Sequence, residues 1–206
     1  MNVTETDLAI ASALYPIMVE CARQSPPRRL TYGQLLTEAR DRFGENEAIQ
    51  RAIPISLGRR LDVVRMFLTE HALPDLTSLV VNADTGEVGS AFGADPVHVR
   101  EQVAAFDWST VSEEFDLHIE GLRKAAAVRS RPKRKRDEAK KLMTAHYQQH
   151  RAVLPKGIEA HRELIIELLV DGLSAEEAFE AATSEVRKVA STSPQPSMGG
   201  DGHAKL

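Results

Sequence analysis

The segment between residues 30 and 89 constrains the fold of this chain most strongly, because it holds three helical patterns followed by a β pattern and a turn. Thr31 can cap the first of these helices, and Gln34 stands in the capping-box position three residues later. The helices are expected at 31–43, 47–57 and 58–71, and the strands at 77–81 and 87–89, with turn residues at 82–86. Three helices and then a β-hairpin is the order of a winged helix-turn-helix.

Helical spacing of apolar residues also dominates the rest of the chain, which predicts a mainly α protein with a small β-hairpin. Proline- and glycine-containing breaks, such as 25–27 and 154–157, separate the segments. We expect four parts: a winged-helix domain at 1–110, a helical basic linker at 111–156, a helical hairpin at 157–190 and a disordered tail at 191–206.

Charge is segregated along the 206 residues, although the formal net charge is only −4. The first 110 residues carry 10 arginines, no lysine and 15 acids; residues 111–156 carry 12 basic and 6 acidic residues; the remainder carries 4 and 9. A basic block between two acidic parts can attract phosphate.

The basic residues of this block are densest between Arg129 and Arg136, where six of eight residues are basic. Such a run suits neutralisation of a phosphate backbone, and a solvated linker is the alternative. The candidate DNA-binding residues of this part are Arg129, Arg131, Lys133, Arg134, Lys135, Arg136, Lys140 and Lys141. Aromatic residues are scarce nearby, so stacking on single-stranded bases is poorly supported.

Four elements in order resemble the DNA-binding lobe of the alkylguanine-DNA alkyltransferases, over roughly Leu30 to Phe92. The matching elements are Thr31-Tyr32-Gly33-Gln34-Leu35, Arg51-Ala52-Ile53, Leu76-Thr77-Ser78-Leu79-Val80-Val81 and Gly86-Glu87-Val88-Gly89. Thr77 stands where that family has its nucleophilic cysteine, and the histidine and arginine that follow it there are Ser78 and Leu79 here. The resemblance therefore implies DNA binding without alkyl transfer, which needs an activated thiolate.

The resemblance also implies which side chains of this lobe would face DNA. Arg51 would take the position of an intercalating arginine, and Tyr32 would lie near a backbone phosphate. Phosphate contacts from the next turn would come from two further arginines. The candidate residues are Tyr32, Gln34, Gln50, Arg51, Arg59 and Arg60. The alternative is that the tyrosine packs in the core and the arginines are solvated.

The C-terminal helical pair is too acidic to read DNA, but it is strongly apolar for its length. Two helices alone cannot bury such a face, so it should pack on the rest of the chain or form a homodimer or hetero-partner interface. The candidate interface residues are Ile165, Leu168, Leu169, Leu173 and Phe179.

No catalytic constellation is visible, and we expect neither an enzyme nor a bound cofactor or metal. His146 and His150 lie four residues apart on an expected helix, but a metalloprotease-type glutamate and nearby cysteines are missing. The single cysteine, Cys21, allows no intrachain disulfide and fits a reducing, cytoplasmic location. A secretory leader and a membrane-spanning run are not expected.

The leading hypothesis is a non-enzymatic protein that binds double-stranded DNA mainly through phosphates. Its rival is an adaptor, or an inhibitor or subunit of a nucleic-acid enzyme, which would use the apolar C-terminal helices as its interface. The basic middle of the chain favours the first, and the acidity of both ends favours the second.

Overall fold

The computed structural model describes residues 3–89, 92–109, 111–128 and 131–190. This part of the chain is mainly helical with one small sheet, which confirms the predicted class. Its α-helices are α1 (Glu5–Ala22), α2 (Tyr32–Arg42), α3 (Glu47–Arg51), α4 (Leu57–Glu70), α5 (Pro96–Ala105), α6 (Ser112–Val128), α7 (Arg136–His150), α8 (Arg162–Val170) and α9 (Ala175–Ala190). Short 3-10 helices span Pro54–Ser56, Leu76–Leu79 and Ile158–His161. The expected tail at 191–206 lies outside the described residues.

The first hydrophobic core is built around α1, which packs against α2, α3, α4 and α6. The helix is continuous through Pro16 because it is buried on most of its surface, and that packing outweighs the proline's intrinsic cost. Tyr15 stacks on Phe115 of α6 at a centroid distance of 3.9 Å, and Phe67 of α4 meets Phe115 at 5.1 Å. These aromatic contacts make α6 part of the first core.

The β element is a parallel pair rather than the expected hairpin. Strand β1 (Leu30–Thr31) pairs with β2 (Val80–Val81), so that Leu30 lies opposite Val80. The expected strand 77–81 is shortened because the Asp75 carboxylate accepts a hydrogen bond from the Thr77 amide and turns 76–79 into a 3-10 helix. After β2, the Asn82 amide donates to the Glu87 carbonyl at 2.8 Å and closes a turn, but 87–89 does not continue as a strand.

The second hydrophobic core is formed by α7, α8 and α9. Ala139 of α7 is fully buried in it, and Met143 and Tyr147 pack at its edge. The expected linker at 111–156 is therefore divided: α6 belongs to the first core and α7 to the second. The boundary between the cores falls close to the basic run rather than at residues 110 and 156.

A buried ion-pair network joins the two cores. The Asp7 carboxylate, at 0% exposure, contacts Arg59 at 2.8 Å and Arg60 at 3.2 Å. Arg60, also fully buried, donates to the Ser56 carbonyl at 2.7 Å and to Glu167 of α8 at 2.6 Å. Burial raises the pKa of Glu167, and the Arg60 guanidinium opposes that shift. The network holds α1, α4 and α8 together through charges that water barely reaches.

None of the helices in the described ranges has the length and apolarity that a membrane crossing requires.

Candidate nucleic-acid interface

The basic segment 131–135 is anchored on the C-terminal end of α8. The Arg134 amide donates to the Val170 carbonyl at 3.0 Å, and its guanidinium donates to the Leu169 and Leu173 carbonyls at 3.0 and 2.6 Å. Leu169 and Val170 belong to the last turn of α8, whose carbonyls carry partial negative charge, and Leu173 follows in the turn before α9. Arg134 therefore serves as a structural cap, which corrects its assignment as a DNA contact.

Two neighbouring arginines are held by acidic residues of the C-terminal helices. Arg131 forms a two-pronged contact with Glu177 of α9, and Arg136 pairs with Glu163 of α8. Both pairs are exposed, so solvent screens them and each contributes little to stability.

The remaining cations of residues 131–156 face solvent, and five of them lack an ion-pair partner within the described ranges. The stretch holds nine basic and two acidic residues, a net charge of +7. Lys140 is paired with Asp137 at 3.4 Å on the same helix. The unpaired and exposed set is Lys133, Lys135, Lys141, Arg151 and Lys156. Arg129 lies outside the described residues.

Helix α7 carries Lys141, and Lys135 and Arg151 are its N-cap and C-cap residues, whereas Lys133 and Lys156 lie outside the helix. Its Ala139 face is sealed against the second core, and the opposite face is exposed and mostly polar. Thr144 and Gln148 lie on that exposed face, between Lys141 near the helix start and Arg151 at its end. The result is a polar strip with positive charge at both ends, about 15 Å long at 1.5 Å per residue.

The two arginines expected to contact phosphate from α4 are not available for that role. Arg59 and Arg60 are 5% and 0% exposed and are bound to the Asp7 carboxylate. Their assignment as DNA contacts is wrong. The physical reason is that Asp7, which belongs to the capping box of α1, is a buried carboxylate, and a buried charge is unfavourable unless it is paired.

The other predicted residues of the first lobe differ in how far they are free. Arg51 is exposed and paired with Glu47 one turn earlier, and Gln50 is exposed beside it. Gln34 closes a capping box by accepting from the Thr31 amide at 2.8 Å. Tyr32 is partly buried, and its hydroxyl lies next to Gly89 after the turn. Arg51 and Gln50 are thus accessible to solvent, although the Gln50 side-chain amide donates to the Arg40 carbonyl at 3.3 Å, whereas Gln34 has a structural role.

Two arginines that the sequence did not single out lie on the two sides of β2 along the chain, one contacting the turn after it and the other the 3-10 helix before it. Arg29 reaches the Gly86 carbonyl at 3.5 Å, and Arg100 of α5 donates to the Ser78 carbonyl at 2.8 Å. Burial, and then the positive charge of Arg29, lower the pKa of Arg100. Isolated arginines 71 positions apart carry no local pattern, so only the fold could bring them together.

The Thr77 hydroxyl, at the position that the resemblance gives to a nucleophile, is buried and engaged. It donates to Asp75 at 2.6 Å and accepts from Arg65 at 2.8 Å. Arg65 is also bound to Asp75 at 3.0 Å. The one thiol, Cys21, is buried as well, and burial raises its pKa.

The apolar residues expected at a partner interface are consumed inside the chain. Ile165, Leu168 and Leu169 are at most 2% exposed, and Leu173 and Phe179 are 8% and 3% exposed. All five lie in the second core. The added helix α7 supplies the cover that two helices alone could not, so their assignment to an interface is wrong.

No protein-family model matches this chain, and searches of curated proteins and of solved structures return no match. The resemblance to the alkyltransferase lobe stays a prediction.

Proposed function

We propose that this protein binds double-stranded DNA without catalysing a reaction on it, through the exposed cations of the basic segment and α7. The observation that carries the proposal is the set of five exposed cations that form no ion pair among the described residues. In a chain with a net charge of −4, unpaired cations on α7 and on the segments that flank it form a local site for a polyanion.

Several features favour duplex DNA over a single strand. Tyr147 is the only aromatic residue of α7, and its hydroxyl is bound to Glu159 at 2.7 Å. The surface therefore offers charge and hydrogen-bond donors but no stacking platform. Lys141, Thr144 and Gln148 on a straight helix are suited to a regular row of phosphates.

The first lobe supplies a second, smaller surface under this proposal. Tyr32 and Arg29 lie at the turn after β2, and Arg100 contacts Ser78 just before β2. Arg51 is exposed on α3. The resemblance to the alkyltransferase lobe points to the same region. The buried and fully engaged hydroxyl of Thr77 supports binding without covalent chemistry. A cytoplasmic location is part of the same proposal, because a single free cysteine fits a reducing compartment.

The rival proposal is a protein adaptor. The interface expected for it is the apolar face of α8 and α9, which is buried in the second core. An adaptor, or a homodimer, would have to use another surface. We therefore keep it as an outcome of the binding experiment.

The experiment measures fluorescence anisotropy of a labelled duplex at low salt with the full chain. The variant K133Q/K135Q/K141Q should weaken binding at least tenfold. A matched control, R42Q/K124Q/R162Q, removes three exposed cations elsewhere and should weaken it much less.

Equal loss in both triple variants would show that net charge alone matters and would overturn the assigned surface. Failure of the unaltered protein to bind duplex would overturn the function and favour the adaptor. The single variant Arg51→Gln then reports whether the first lobe contributes.

A further inference from the structure

Three potential metal ligands meet where the end of α4 contacts α6. Glu70 ends α4, His71 follows it as the C-cap, and His118 lies in the middle of α6. One ligand atom from each lies within 4.8 Å of the other two. The Nδ1 atom of His118 is 3.3 Å from Glu70 Oε2. Among the described residues, this is the group in which three such ligands converge.

The hydrophobic core fixes the positions of the two imidazoles. Phe67, which is fully buried, lies one turn before His71, and its ring centroid is 4.5 Å from that imidazole and 5.4 Å from the imidazole of His118. Phe115 lies one turn before His118 and packs on Phe67 at 5.1 Å. Both histidines thus extend from an aromatic cluster that already locks α4 to α6. Ligands held on packed helices need little reorganisation to bind an ion.

The side chains differ in exposure in a way that suits ion entry. His118 is about 10% exposed and provides a fixed inner ligand. Glu70 is 65% exposed and can move inward by the small distance that coordination requires, and the exposed His71 leaves the site open to an ion from solvent.

We propose that Glu70, His71 and His118 form a binding site for a divalent transition-metal ion of the Zn²⁺ type. Two imidazoles and one carboxylate are a usual ligand set for Zn²⁺, with water completing four-coordination. Ca²⁺ and Mg²⁺ are not the preferred ions, because they bind oxygen ligands, whereas imidazole nitrogen suits transition metals such as Zn²⁺. A bound ion would brace α4 against α6 and stabilise the folded chain. This site is independent of the DNA-binding surface on α7.

One histidine pair and one histidine–glutamate pair elsewhere in the chain serve as internal controls. His146 and His150 of α7 have ring centroids 4.3 Å apart, and His98 lies 3.7 Å from Glu101 on α5. Each offers two ligands where the proposed site offers three. If surface histidines alone captured the ion, these pairs would compete with the proposed site.

The test is isothermal titration of the chelator-treated full chain with ZnCl₂, with the thermal midpoint measured in the same samples. The expected result is one saturable equivalent and a raised midpoint. His71→Ala and Glu70→Gln should each weaken binding about tenfold or more, while the double control H146Q/H150Q binds as the unaltered protein does. Because His71 and Glu70 are exposed, their variants should fold, which the metal-free midpoint verifies.

Titration with Co²⁺ provides a second readout, because its visible absorption reports imidazole coordination directly. A spectrum that is lost in His71→Ala and kept in H146Q/H150Q supports the site. Absence of Zn²⁺ binding, binding that His71→Ala leaves unchanged, or binding that H146Q/H150Q abolishes would overturn it.

Discussion

At the scale of single residues, the largest departure from the sequence-based expectation is the fate of Arg59 and Arg60. A pair of adjacent arginines on an amphipathic helix resembles a phosphate contact, yet both are bound to Asp7, which lies 52 positions before Arg59. Asp7 has one local contact that the sequence can reveal, because it forms the capping box of α1 with Thr4. Sequence patterns show the cap but not the distant cations that the buried carboxylate requires.

Replacing Asp7 by asparagine should strongly destabilise the chain. The change removes a buried charge that Arg59 and Arg60, at 5% and 0% exposure, both contact, so the two guanidiniums lose the anion that they share while Arg60 keeps Glu167. Breaking one partner of a buried pair costs about 3–5 kcal/mol. Urea unfolding followed by circular dichroism measures the loss. The control Glu47→Gln removes the exposed partner of Arg51 and should change stability little; an equally mild Asp7→Asn would contradict the network's importance.

His146 should make stability depend on pH below neutrality. It is partly buried against Phe179, and burial, followed by the neighbouring His150, lowers its pKa below the ordinary 6.5, with Glu176 opposing. The unfolded chain therefore takes up this proton first as the pH drops below 6.5, and the free energy of unfolding falls in that window.

The measurement is urea unfolding of metal-free protein at several pH values above and below 6.5. His146→Gln should flatten part of the decline, whereas the exposed-site control His98→Gln should not. An unchanged slope in His146→Gln would contradict the assignment.

At the scale of elements, local sequence signals predict the helix caps well, but they do not predict which distant segments pair. The capping box expected at Thr31 with Gln34 is present, because it is complete within four residues, and Ser174 with Glu177 forms another. The prediction that the strand containing Val80 pairs with 87–89 is wrong. Its partner Leu30 is 50 residues away, in a two-residue strand that is too short to show an alternating pattern. The contact between Glu70 and His118 could not be predicted for the same reason, because the two residues are far apart in the sequence.

Gly172 should be required for seating the basic segment. Its φ is +95°, and an added Cβ would lie 2.7 Å from the Arg131 Cβ and 3.2 Å from the Pro132 carbonyl. Gly172→Ala therefore adds both left-handed strain and a backbone clash, and should destabilise by more than about 1 kcal/mol.

Thermal unfolding measures that loss. Gly121→Ala, on α6 with open space at the added Cβ, is the control and should be neutral or stabilising. If the two variants behaved alike, the contact between the α8–α9 turn and the basic segment would not matter to the fold.

At the scale of the whole molecule, only some cations of the basic block remain unpaired after folding. Composition located the basic block correctly, but the fold decides which cations remain usable: Arg134 caps α8, and Arg131 and Arg136 meet acids from α9 and α8. Lys133, Lys135 and Lys141 stay unpaired and exposed among the described residues. A sequence gives the charge of a segment, whereas its pairing depends on which acidic helices pack beside it.

The salt dependence of duplex binding tests whether these cations neutralise phosphates. The logarithm of the association constant, measured between about 50 and 200 mM salt, should fall linearly with the logarithm of salt concentration. The slope of K133Q/K135Q/K141Q should be shallower by about three, one for each lost phosphate contact, while R42Q/K124Q/R162Q keeps the original slope. A slope that is the same in all three proteins, or no duplex binding at the lowest salt, would contradict DNA binding through α7.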